Sequence, residues 1–156
     1  MVEPFRLEAL LTAQELINAG MRLAFVRGMT KLGTRTLRQR WKETHGERSS
    51  KGKLPDSVLS FIKNREAAAQ LSAFAAFYKQ THGLEFTAES LMDAWREFQN
   101  ICGPVDINAA YLSVRDIRAR IVLLSRCQVC HATFIYDMGS RHTERCPFCR
   151  TRVLSS

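Results

Sequence analysis

The chain has 156 residues, 46% of them apolar, which is too apolar for a disordered chain and long enough for one domain, or one domain with a small appendage. Its net charge of +8 sits at the two ends: residues 1–53 carry 11 Lys/Arg against 5 acids and residues 101–156 carry 8 against 4, while residues 54–100 carry 4 against 6. No run approaches ~20 continuous apolar residues and the first residues show no signal-peptide pattern, which excludes a membrane span and predicts a cytoplasmic protein whose basic surfaces attract nucleic acid or serve general solubility.

Residues 6–27 read as one helix, with Leu7, Leu10, Leu11, Leu16, Ile17, Met21, Leu23 and Ala24 at helical spacing. The stripe is wide, so this helix should touch more than one neighbour. Gly28 and Gly33 read as breaks, with one short helix over residues 29–32 between them. Thr34 is the expected cap of a helix to about Thr44, anchored by Leu37 and Trp41 and carrying Arg35, Arg38, Gln39, Arg40 and Lys42 elsewhere. Residues 46–56 are polar, with Gly and Pro, and form a loop. A helix over 57–81 follows, with Ala67, Ala68, Leu71, Phe74, Ala75 and Tyr78 on one face, then a break at Gly83. Thr87 caps a helix to about Asn100, Gly103-Pro104 stops it, and Asp106 caps a last long helix to about Leu124. Cys102 stands alone and reads as a small buried apolar residue.

Past residue 125 the chain turns short and cysteine-rich. Cys127-x2-Cys130 and Cys146-x2-Cys149 are separated by fifteen residues. Two such pairs are a strong zinc signature, because each turn brings two thiolates to one side of a tetrahedral ion. Two disulfides, free thiols or an iron–sulfur cluster are the alternatives. Thr133–Tyr136 reads as a strand and Met138-Gly139-Ser140 as a turn, as in a zinc ribbon. Four thiolates on one divalent ion carry a charge of about −2, which Arg126, Arg145, Arg150 and Arg152 would offset. Four cysteines leave no open position, so one zinc per chain would be structural. His131 and His142 read as surface residues or spare ligands. His45 and His82 each precede a glycine at a helix end.

Residues 21–44 have the layout of a helix-turn-helix. Arg35, Arg38 and Lys42 share one face of its last helix and suit DNA, and a solvated basic face is the alternative. Arg38, mid-helix, is expected to reach a base edge and Arg150 to meet the phosphate backbone. No enzyme motif is present: Gly28-x4-Gly33 begins like a phosphate loop, but Thr34-Arg35 stands where Lys-Ser/Thr is needed. The reading is an all-α fold with a helical domain over 1–124 and a zinc module over 125–156, not an enzyme, with a protein-interaction adaptor as the rival.

Three stretches carry a resemblance: Leu16-Ile17-Asn18-Ala19-Gly20-Met21-Arg22-Leu23, Leu37-Arg38-Gln39-Arg40-Trp41-Lys42-Glu43, and Lys51-Gly52-Lys53-Leu54-Pro55. Together with the helix before the cysteines and both cysteine pairs, they make the chain resemble the FlhC family, the zinc-containing subunit of the bacterial flagellar master activator, over almost its whole length. The resemblance implies a mostly helical fold. It implies zinc on Cys127, Cys130, Cys146 and Cys149, a hetero-oligomer with an FlhD-like companion, and activation through promoter DNA and RNA polymerase. The chain departs from longer members by stopping seven residues after Cys149, so their basic tail contacts are not expected. Similar proteins on conjugative elements switch on transfer genes, so the target is either flagellar or transfer genes.

Overall fold

The computed structural model describes residues 4–49 and 52–151. Lys51 and Arg152, both named above, lie outside them. Among the described residues six α-helices run in chain order, α1 (Pro4–Asn18), α2 (Leu23–Thr30), α3 (Thr34–His45), α4 (Arg65–His82), α5 (Ala88–Cys102) and α6 (Ile107–Arg118), with two strands, β1 (Leu123–Arg126) and β2 (Thr133–Tyr136). The fold is mostly helical, and the small sheet makes an all-α description approximate.

The expected helix over 6–27 is two. Gly20 adopts φ +89°, a left-handed conformation that an L side chain enters only with strain, so the chain turns there and α2 starts afresh after Arg22. Gly28, expected to break the chain, is instead an exposed residue inside α2, where it costs only about 1 kcal/mol relative to alanine. The separate helix over 29–32 does not form, because Lys31 ends α2 with φ +65°. Thr34 is the first residue of α3 rather than its cap; Gly33 holds that position and offers no side-chain cap.

The helix expected over 57–81 divides as well. Ser57 caps a single 3-10 turn over Val58–Phe61, and the Asn64 side chain accepts the Ala67 N–H to start α4. Thr87 forms a reciprocal capping box with Ser90, and Asp106 accepts the N–H groups of Asn108 and Ala109, both at expected positions. The last helix ends at Arg118, not Leu124: Arg120 turns left-handed at φ +59°, and residues 123–126 become a strand. Cys102 is exposed, contrary to expectation. It is the last residue of α5, beside Ile101, which is also exposed.

The core lies where α4, α5 and α6 meet, with Phe74, Leu91, Ile107 and Leu112 fully buried, and it continues through Leu16, Ile17, Met21 and Val26 of the N-terminal segment. The ring of Phe98 stands edge-on to Phe74 with centroids 5.4 Å apart, an arrangement aromatic quadrupoles favour. Helix α1 packs on α2, α3 and α5, which accounts for its wide stripe. Its outer residues Phe5, Leu7 and Leu11 remain exposed.

The sheet is antiparallel, with Leu123 opposite Tyr136 and Arg126 opposite Thr133. Strand β2 lies against α4, and its Ile135 N–H donates to the buried Ser72 hydroxyl at 2.9 Å. Asp116, fully buried on α6, accepts the Val58 N–H at 2.6 Å and the Arg115 guanidinium at 2.9 Å. Arg115 also donates to Asp56 O at 2.8 Å, so this pair fastens the end of the 46–56 loop to α6.

Candidate metal centre and basic face

The hairpin carries the first cysteine pair at its turn. Cys127 directly follows β1, and Cys130 stands before β2. The second pair follows a loop over 137–145. The four sulfurs all lie within 4.8 Å of one another, with Cys127 and Cys149 Sγ at 3.5 Å and Cys130 and Cys146 Sγ at 3.6 Å. A tetrahedral ion with Zn–S bonds of about 2.3 Å sets its sulfurs about 3.8 Å apart. The donor set and the spacing therefore fit a metal ion such as zinc, while a disulfide needs sulfurs at about 2.05 Å.

The two turns share one hydrogen-bond pattern. Cys127 N–H donates to Ala132 O and His131 N–H to Cys127 O; Cys146 N–H donates to Thr151 O and Arg150 N–H to Cys146 O. In each, the residue after the second cysteine is left-handed: His131 at φ +64° and Arg150 at φ +66°. A non-glycine residue there costs about 1–2 kcal/mol. Glycine removes that strain but gives back part of the gain through the greater entropy of its unfolded chain, so His131→Gly and Arg150→Gly should each stabilise the segment by about 0.5–1 kcal/mol. Denaturant midpoints read by a probe in the segment check this; a loss of stability would count against the strain.

Electrostatics differ among the sulfurs. The hydrogen bond between the Cys149 sulfur and the Thr151 hydroxyl, 3.1 Å apart, lowers the Cys149 pKa to about 6. Hydrogen bonding from the Cys130 backbone, and then from the Val129 N–H, lowers that of Cys127. Burial pushes the Cys146 thiol up to about 12, and a nearby cation would favour its thiolate. Sequence reasoning missed Arg65. From the first turn of α4 it donates to Pro147 O at 2.7 Å and Phe148 O at 3.0 Å, inside the second cysteine turn. His131 is exposed and His142 half-buried, and neither belongs to the four-sulfur group.

On α3, Leu37 is fully buried and Trp41 half-buried against His45, with ring centroids 4.3 Å apart. Arg35, Arg38 and Lys42 are exposed, as is Arg150 in the second cysteine turn. Arg40 faces the other way, donating to Gln14 Oε1 on α1 at 3.1 Å. Arg38 and Lys42 line an open groove of about 980 Å³ between α2, α3 and the loop residues Arg48, Ser49, Gly52 and Leu54, with Arg22, Arg27 and Arg48 as its other cations among the described residues. Arg35 lies outside it.

The model of the family described as flagellar transcriptional activator (FlhC) matches residues 6–154. A flagellar transcriptional regulator FlhC of Sodalis glossinidius (strain morsitans) is 30% identical, over 88% of this chain and 74% of that protein. One of Gallionella capsiferriformans (strain ES-2) is 29% identical, over 83% and 76%. One of Yersinia enterocolitica is 26% identical, over 88% and 76%.

Proposed function

The chain belongs to the FlhC family of flagellar transcriptional activators, and from that membership we propose that it is a zinc-containing, DNA-binding activator subunit working in a hetero-oligomer with an FlhD-like companion. The family is one of transcriptional regulators, not a class of enzymes. Among the described residues, no helix is long and apolar enough to cross a membrane. Cys127, Cys130, Cys146 and Cys149 would hold one structural zinc per chain, and the ion would supply a fixed cross-link and no reaction. The module over 125–156 would then fold around it.

The observation that carries DNA binding is the outer face of α3. Arg35, Arg38 and Lys42 project to solvent from a helix whose other side is anchored by Leu37. Helices α2 and α3 are separated by three residues, Lys31, Leu32 and Gly33, a connection of the length a helix-turn-helix uses. We read the pair in that way, with α3 towards duplex promoter DNA and Arg150 at a second contact. Flagellar or transfer genes are the targets, reached with RNA polymerase.

The exposed Leu7 and Leu11, one turn apart on α1, are the surface we assign to the companion. Sedimentation should find the isolated chain self-associating and the co-expressed complex discrete; a well-behaved monomer that binds its promoter unaided would refute this. Co-expression with the protein encoded beside it, followed by footprinting of candidate promoters, tests the whole reading. The same apolar strip suits a protein-interaction adaptor with a purely structural zinc module, which becomes the better account if a stable complex leaves no footprint.

A further inference from the structure

We infer that the groove between α2, α3 and the 46–54 loop seats the sugar–phosphate backbone of duplex DNA, with Arg22, Arg38, Lys42 and Arg48 on phosphates and Arg35, outside it, left for base edges. The inference rests on the DNA-binding reading and goes further than the basic face of α3. Among the described residues five cations line the groove, and no carboxylate does. Among the described residues none of the five enters an ion pair. Two of them are nevertheless fixed in place. The Arg22 guanidinium donates to Gly52 O, and Arg27 donates to the Thr34 hydroxyl at 3.1 Å. Neutral oxygens hold a guanidinium without cancelling its charge, so the groove keeps its field for an outside anion.

The base of Arg22 is equally set, because its backbone N–H donates to Asn108 Oδ1 at 2.8 Å on α6. Leu23, Ala24 and Leu54 supply the apolar part of the lining that solvent reaches, which suits deoxyribose between phosphates better than a base edge demanding paired donors and acceptors. Arg38, expected from its mid-helix position to read a base, thereby moves to the phosphate set. Arg35 is the second residue of α3, and recognition helices touch bases chiefly through their N-terminal residues.

The test uses the full, zinc-loaded chain, alone and co-purified with its companion, titrated with a footprinted promoter duplex and a random duplex of equal length across a salt series. Each phosphate contact adds about 0.9 to the log–log salt slope. Arg38→Ala and Arg48→Ala should each flatten the slope by about one unit and weaken both duplexes by the same factor. Arg35→Ala should weaken the promoter alone, between about 5- and 150-fold. Unchanged slopes in Arg38→Ala and Arg48→Ala, or a promoter-only loss in Arg38→Ala, would overturn the groove while DNA binding stood. Salt-independent or absent duplex binding by the wild-type complex would remove the DNA reading itself. Displacement of duplex by a lower concentration of single-stranded RNA or of an acidic peptide would overturn the choice of DNA as occupant.

Discussion

Cys146→Ser should abolish zinc binding and unfold the chain from about residue 125 onward while α4, α5 and α6 stay formed. The cysteines are not an addition to a core at this end of the molecule. They are most of it: apart from Ile135, which β2 buries against α4, the buried apolar residues there are Cys127, Phe134 and Cys146, with Tyr136 and Cys149 partly covered against them. So little apolar area cannot offset the conformational entropy of ordering some 25 residues, each costing about 1–2 kcal/mol. Metal-linked folding in such modules contributes on the order of 10 kcal/mol. Serine keeps the size of the side chain and loses the thiolate. Metal analysis should find one zinc per wild-type chain and none in the variant, and amide exchange should rise across the segment and not in α5. Full zinc occupancy in Cys146→Ser would refute the assignment of that ligand.

Asp116→Ala should cost about 2–4 kcal/mol, the penalty for leaving a buried N–H donor unpaired together with the loss of a partly exposed ion pair. The side chain is fully buried and accepts from both Val58 N–H and Arg115. Alanine leaves the buried Val58 N–H without its acceptor and Arg115 without its carboxylate. Asp116→Asn keeps an oxygen for Val58 and should cost about 1–2 kcal/mol. Urea denaturation of the zinc-loaded chain gives both numbers, and equal stability of Asp116→Ala and wild type would refute the clamp. Because the same pair fastens the end of the 46–56 loop, the variant should also loosen the segment that carries Arg48.

The cysteine tetrad was legible in the sequence because its spacing is a covalent fact that no tertiary contact can override. So were the caps at Thr87 and Asp106, whose partners lie two or three residues away. The breaks were harder. Gly20 and Gly28 look alike in a string of letters, and only the packing of α1 against α2 and α3 decides which adopts positive φ. Leu123 and Leu124 continue the period of α6 on paper. They leave it because β2, held by Ile135 on Ser72, offers them a ladder, and a short apolar run cannot choose between helix and strand alone. Arg65 was invisible for a plainer reason. Its acceptors are backbone carbonyls 82 and 83 residues away, and carbonyls leave no trace in residue type. The basic residues of α3 were visible as a face, but the groove that divides Arg38 from Arg35 is made partly by the 46–54 loop, whose path a helical pattern does not describe.

The first cysteine pair sits in the turn of a hairpin whose strands meet residue for residue, Arg126 against Thr133. Sliding one strand by a single residue would turn every side chain to the opposite side of the sheet and carry Cys127 or Cys130 out of reach of the other sulfurs. A bound ion would therefore act as a ratchet pin on strand register. Chain length is locked between Arg126 and Thr133. Met138-Gly139, by contrast, is an exposed tip with φ +91° at the glycine, beyond both strands and ahead of the second pair, in a turn closed below it by hydrogen bonds between Asp137 and Thr143. Between the two cysteine pairs, variation in length can accumulate at that tip without moving a sulfur.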